Sequence, residues 1–225
     1  MKVVAIVQAR MGSTRLPNKV MKPIGGVPMI ELLLARLSGA KQIDQIVVAT
    51  SVDKKNKPLV EHVESLGYLC VRGSENDLLE RYLDAARRSR ADVVVRITGD
   101  CPLVDPVLVD DCISRFLDTD VDYLSNTSPP TFPDGLDISV VKIDVLRCAG
   151  LDAHSRYDRE HVMPFIKNSG NFVLGTIQND IDYSTMRWTV DEPADFKVIC
   201  NVFAHFAPDI DFSWLQVLEL EQTHP

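Results

Sequence analysis

Short apolar runs alternate with helical patterns along most of this chain, and that rhythm constrains the fold more than anything else. Val3 to Gln8, Ile46 to Thr50, Tyr68 to Arg72 and Val93 to Thr98 read as strands. Helical stretches stand between and after them: Pro28 to Leu37, Pro58 to Ser65, one opening at Asp77, and one from Asp105-Pro106 to about Leu117. Proline near the first turn and Asp77 with Glu80 three residues on, a capping box, mark helix starts. Continuous apolar strands joined by helices predict an α/β fold of Rossmann-like kind, a mixed, mostly parallel sheet with helices on both faces. The rhythm breaks between about residues 126 and 183, after the turn-rich Ser128 to Gly135. There Leu136 to Val141 and Phe172 to Ile177 read as strands, Ile143 to Ala149 and Arg159 to Lys167 as helices. Met186 to Val190 is a further predicted strand, and Phe212 to Glu221 a terminal helix. Phe196, Ile199, Val202, Phe203 and Phe206 share one face of a helix from Pro193 to Phe206, a core stripe.

At 225 residues and 45% hydrophobic, the chain fits one α/β domain, with residues 126–183 as an inserted subregion for substrate or dimer contact. No apolar run approaches the ~18 residues of a membrane span, and no secretory signal opens the chain. A net charge of −8 argues against a nucleic-acid binder, because a duplex would be repelled outside a local basic patch. Five scattered cysteines without a C-x-x-C pair point to reduced thiols and a cytoplasmic protein.

The first strand runs straight into a loop carrying Arg10, Gly12, Ser13, Thr14, Arg15 and Lys19. Small residues let the backbone approach a ligand, and three cations at a strand's carboxyl end suit a polyanion, above all a nucleoside triphosphate. The loop is neither a Walker-type P-loop nor a dinucleotide fingerprint. Two carboxylates are expected at strand ends as well: Asp100 after Thr98-Gly99, and Asp191 after Thr189-Val190. Taken alone, Asp191 also reads as a helix N-cap and Asp100 as a turn residue. Together, facing a triphosphate loop, they form a magnesium-type donor pair, since magnesium is held by one or two carboxylates plus phosphate oxygens. Asp120-Val121-Asp122, Asp180-Ile181-Asp182 and Asp209-Ile210-Asp211 match the Asp-x-Asp signature of a metal-dependent glycosyltransferase of GT-A type, an alternative reading. A non-catalytic nucleotide-binding module is a third. The cationic loop argues against the first, because a sugar-nucleotide user needs no grip on a leaving pyrophosphate.

Gln8 to Lys19, followed by Gly26-Val27-Pro28-Met29-Ile30, resembles the cytidylyltransferases that activate acidic sugars, such as 3-deoxy-manno-octulosonate and acylneuraminate. The branch named for a spore-coat polysaccharide biosynthesis protein also resembles Val47 to Ser51, Arg72-Gly73, Arg96 to Pro102, Phe132 to Asp137, Glu160-His161-Val162 and Arg187 to Asp191. The resemblance spans about Met1 to Phe206. Asn18 departs from it, standing where the family usually has glycine; asparagine tolerates a left-handed backbone. The resemblance implies a nucleotide-diphospho-sugar transferase fold and transfer of CMP from CTP to an acidic sugar or similar acceptor, releasing pyrophosphate. It implies that Arg15 and Lys19 grip the β- and γ-phosphates, Arg10 the α-phosphate, and Asp100 and Asp191 a Mg2+ ion. Ala9, Gly12, Ser13, Ala49, Thr50, Ser51, Arg72 and Gly99 become nucleotide neighbours. Asp134, Asp137, Arg159, Glu160, His161 and Arg187 become acceptor readers. His161 also reads as an ordinary helical residue, and Arg187 as a partner for Asp134 or Asp137. A homodimer is a further expectation of the resemblance.

Overall fold

A computed structural model describes residues 1–223. Its central sheet has seven strands in the order β5-β4-β1-β6-β8-β7-β9. These are β1 (Val3–Gln8), β4 (Gln45–Ser51), β5 (Leu69–Gly73), β6 (Val93–Thr98), β7 (Tyr123–Ser125), β8 (Ser139–Lys142) and β9 (Leu174–Thr176). β2 (Pro23–Ile24) and β3 (Val27–Pro28) form a separate small hairpin. β5, β4, β1 and β6 are mutually parallel, β8 runs against both β6 and β7, and β9 runs parallel to β7.

Alternation along the strands decides the two faces. Val3, Ala5 and Val7 of β1 point to one core, with α1 (Met29–Leu37), α2 (Lys57–Ser65), α4 (Pro106–Leu117), α8 (Pro193–Phe206) and α9 (Trp214–Thr223). Val4 and Ile6 point to the other, under α3 (Leu78–Ser89), α5 (Ile143–Asp152) and the short α7 (Pro164–Asn168), while α6 (Arg156–His161) packs against α3 outside the core. A sheet covered on both faces needs near-continuous apolar strands, which is what β1, β4 and β6 supply. Among the described residues no helix is long and apolar enough to cross a membrane.

Caps place several helices. Asp105 accepts from the backbone N–H groups of Val107 and Leu108 ahead of Pro106, starting α4. Glu192 and Asp195 form a reciprocal capping box at α8. The box expected at Asp77 is only half made: one Asp77 oxygen accepts from Glu80 N–H, and the other takes Arg159 Nε at 2.6 Å. On α8, Ile199, Val202 and Phe203 are buried, with Phe196 and Phe206 packed at the margin.

Two expected elements differ. Met186 to Val190 is no strand of the sheet. It is an extended connection held by backbone bonds to Asp134 on one side and, through Val190 N–H, to the Asp100 carbonyl at 2.8 Å. Gly135 permits that contact, because its φ is +118° and a Cβ there would lie 2.6 Å from Thr189 N. The predicted helix from Arg159 to Lys167 is instead two helices. Pro164 cannot donate to a continuing helix, and Val162 between them takes φ 69° and ψ −55° in a γ-turn closed by Met163 N–H on the His161 carbonyl.

Candidate active site

The strand order reverses at β1: the chain moves outward through β4 and β5, then returns to place β6 on β1's other side. Ligands of open α/β sheets collect at the carboxyl ends beside such a reversal. A cleft of about 530 Å³ opens there, lined by the 9–20 loop, Gly99, Asp100 and Asp191, with residues from the start of α3 and the end of α6.

The loop is a built structure. Met11, Leu16 and Val20 are buried as anchors. Asn18 N–H closes the loop on the Met11 carbonyl, and Asn18 sits at φ 58°, the left-handed conformation that its departure from glycine still allows. Asn56, which sequence reasoning passed over, is buried and binds Met11 N–H through Oδ1 at 2.8 Å. Its amide nitrogen donates to Ser51 Oγ, so Asn56 ties β4 to the loop. On the other side, Gly99 N–H donates to the Gln8 carbonyl at 2.8 Å.

Lys19 is the centre of the charge arrangement. Its ammonium lies 3.1 Å from Asp100 Oδ2, 2.9 Å from Asp191 Oδ1 and 2.7 Å from the Val190 carbonyl. Arg15 reaches Asp191 Oδ2 at 3.0 Å, and Arg187 reaches the same oxygen at 2.9 Å. Burial pushes the Asp191 carboxyl up, but Lys19, Arg187 and Arg15 outweigh it and hold the group below its ordinary range. Arg10 pairs with Glu75 at 2.7 Å, an acidic neighbour that sequence reasoning also missed. Among the described residues no cluster of three His, Cys, Asp or Glu side chains surrounds a metal position. Two carboxylates converging on one ammonium are, however, the donor set of an ion whose other ligands are phosphate oxygens and water.

The structure brings Arg10, Arg15, Lys19, Ala9, Gly12, Ser13, Gly99, Asp100, Asp191, Glu160 and His161 to one cleft. Asp134 and Arg187 stand beside Asp191 and pair with each other at 2.7 Å, the alternative reading of Arg187. Others fall elsewhere. Ala49, Thr50 and Ser51 are fully buried and support the cleft from behind. Arg72 points to the surface and donates to the Val52 carbonyl. Arg159 ties α6 to Asp77 and to the Gly150 and Ala153 carbonyls, a joint between elements rather than a cleft residue. Asp137 lies behind Asp134, raised in pKa by burial and then by Asp134, against the pull of Arg96. Unforeseen lining residues are Gln8, Glu75, Asn76, Leu78 and Arg81. None of the three Asp-x-Asp pairs reaches the cleft. Asp122 instead binds Lys142 and Val173 N–H, Asp182 holds Ser184 N–H, and Asp209 holds Asp211 N–H.

A sheet wound in both directions from β1, with a cationic loop at the reversal, is the nucleotide-diphospho-sugar transferase fold of GT-A-like kind. The chain belongs to the cytidylyltransferase family, whose pattern matches residues 4–212. It is similar to the spore coat polysaccharide biosynthesis protein SpsF of Bacillus subtilis, 36% identical over 234 residues, covering 99% of this chain and 95% of that protein. A solved cytidylyltransferase of Leptospira borgpetersenii superimposes with a TM-score of 0.96 at 34% identity, covering 100% of this chain and 95% of the other. A CMP:2-keto-3-deoxy-manno-octonic acid synthetase complexed with CTP shares the fold, with a TM-score of 0.73 at 18% identity, covering 91% of this chain and 99% of its own.

Proposed function

We propose that this protein transfers a cytidylyl group from CTP to an acidic sugar or related acceptor, with release of pyrophosphate, in the biosynthesis of a surface polysaccharide or glycoconjugate. One observation carries the reading: Arg15, Lys19, Asp100 and Asp191 meet at one end of the cleft, where a triphosphate and its cation need opposite charges side by side. Family membership and the similarity to the spore coat polysaccharide biosynthesis protein and to the CTP-bound synthetase support the nucleotide and the pathway class.

In the reaction an acceptor oxygen attacks the α-phosphorus. Its new P–O bond forms as the bond to the β-phosphate oxygen breaks, and the acceptor's proton leaves. Such a reaction asks mainly for positioning and charge neutralisation. Arg15 and Lys19 would neutralise the departing pyrophosphate, and Arg10 would steady the α-phosphate after release from Glu75. Asp100 and Asp191 would hold Mg2+, which supplies Lewis-acid polarisation of the phosphate oxygens. Glu160 and His161 also line the cleft and would read the acceptor. The γ-turn at Val162 marks where α6 ends.

The test is pyrophosphate release from each of the four nucleoside triphosphates with magnesium, against a panel of 3-deoxy-manno-octulosonate, sialic, pseudaminic and legionaminic acids and simple phosphonates. Release with CTP and one acceptor is expected, with Asp100→Ala and Asp191→Ala each slower by about 10²–10³ or more. Silence across the panel, with no magnesium-dependent CTP binding by calorimetry, would refute the reading.

A further inference from the structure

Asp191 is gripped from two directions, and both grips lead to one residue that the reaction itself does not call for. Asp195 stands in the first turn of α8, and its Oδ2 accepts from the backbone N–H groups of Asp191 and Glu192, each at 2.8 Å. Its carboxylate also faces the Arg187 guanidinium, with Nε 3.3 Å from Oδ1 and an Nη 3.5 Å from Oδ2. Arg187 in turn donates to Asp191 Oδ2 at 2.9 Å and to Asp134 Oδ2 at 2.7 Å. Asp195 therefore holds the main chain of residue 191 directly and its side chain through one arginine. Asp191 Oδ1 is left facing Asp100, and the two carboxylates share the Lys19 ammonium there.

A plainer role also exists, because Asp195 is one half of the capping box that starts α8. The other half is Glu192, whose side chain accepts from the Asp195 N–H. The two halves are not equivalent. Helix capping needs only an acceptor for free N–H groups, and Glu192 supplies one with 59% of its side chain exposed. The Asp195 side chain is only 14% exposed, and its second oxygen is turned to Arg187, which caps nothing. A carboxylate already ordered at its backbone and at one oxygen loses little freedom when the other oxygen takes up a cation. We propose that Asp195 is a positioning residue that, with Arg187 as its strut, aims Asp191 Oδ1 at the cation position shared with Asp100. It acts through Asp191 and does not itself line the cleft. This inference rests on the reading above in which Asp100 and Asp191 hold Mg2+.

Calorimetric titration with CTP, in Mg2+ and in EDTA and without acceptor, gives the factor by which the metal tightens the nucleotide. Wild-type protein is compared with Asp195→Ala, Asp195→Asn and Glu192→Ala, each also unfolded in urea. Asp195→Ala should shrink the metal-dependent factor by about 10-fold or more, with CTP affinity in EDTA little changed. Glu192→Ala removes the other half of the same box, so it should lower the urea midpoint comparably and leave the factor intact. Its 3.8 Å contact with Arg15 bears on the phosphates in both buffers and cancels in the ratio. Asp195→Asn keeps an oxygen for the two N–H groups but turns a donor on Arg187. It should stay close to the wild-type midpoint and still lose several-fold of the factor. A factor that survives in Asp195→Ala, or falls as far in Glu192→Ala, would overturn the proposal and leave Asp195 a helix cap. If Asp195→Ala does not fold, Asp195→Asn decides, and a full factor there overturns the proposal as well. Wild-type protein with no metal-dependent factor would bring down the magnesium reading itself; a wild-type factor indifferent to Asp195 removes this inference alone.

Discussion

Gly99→Ala is the most informative single change, because the structure gives its cost directly. A Cβ at residue 99 would sit 2.7 Å from the Gln8 carbonyl oxygen, 2.9 Å from Ala9 Cβ and 3.2 Å from Ala9 Cα. An ordinary carbon–oxygen contact is about 3.3–3.6 Å, so the ends of β1 and β6 must part by roughly 0.6 Å. No flexible side chain can absorb this, since the atoms in the way are backbone and a Cβ. The parting also strains the 2.8 Å bond from Gly99 N–H to Gln8. Overpacking of about 1–3 kcal/mol, with a hydrogen bond of about 1 kcal/mol weakened, gives an expected destabilisation of about 2–4 kcal/mol. Its φ lies outside the left-handed region, so alanine carries no conformational handicap. The opposite expectation, from lower chain entropy in the unfolded state, is a stabilisation of about 0.4–1 kcal/mol. Urea unfolding followed by circular dichroism separates the two. CTP affinity should fall in parallel, because Ala9 and Asp100 flank the parted contact. Unchanged or raised stability with normal CTP binding would refute the reasoning.

Three further outcomes are expected. Arg36 is 1% exposed, donates to the Leu103, Val104 and Ile210 carbonyls and stacks 4.3 Å from the Phe212 ring, so it clamps the C-terminal segment to α1 and α4. Arg36→Met strands those acceptors and should cost about 3–5 kcal/mol in urea unfolding. Asp137→Asn should raise the melting temperature at pH 7, since burial and Asp134 lift the folded carboxyl above its unfolded value. The wild-type penalty is full above the folded pKa, so the variant's gain should shrink as pH falls through it towards the unfolded value of 3.8; a gain persisting below that would contradict the assignment. In a native thiol titration the exposed Cys148 should react fast. Cys101 and Cys112 are buried, and burial pushes Cys112 up to about 12, so both should react only on unfolding.

β1 and β6 have the limits that their apolar runs announce, and α8 starts and stops where its proline and its aromatic stripe do. The cationic loop and the strand that feeds it are equally legible, as is the left-handed backbone at residue 18. These features are encoded by contiguous residues: periodicity, caps and turn formers act within one or two turns of chain. What stayed hidden depends on residues brought together from afar. The extended Met186 to Val190 segment reads as a strand, because nothing local says that its partners are Asp134 and Asp100. Arg72 and Arg159 look like ligand readers by type, but neighbouring carbonyls and Asp77 claim them. Arg81 looks like an ordinary charged residue of a helix until Gly73 and the sheet edge draw it into the cleft. The sequence by itself determined most of the strands and helices and the cationic loop, since each needs only short-range chemistry. Only the tertiary structure decided which cations face the cleft, because a side chain's destination depends on every partner competing for it across the fold.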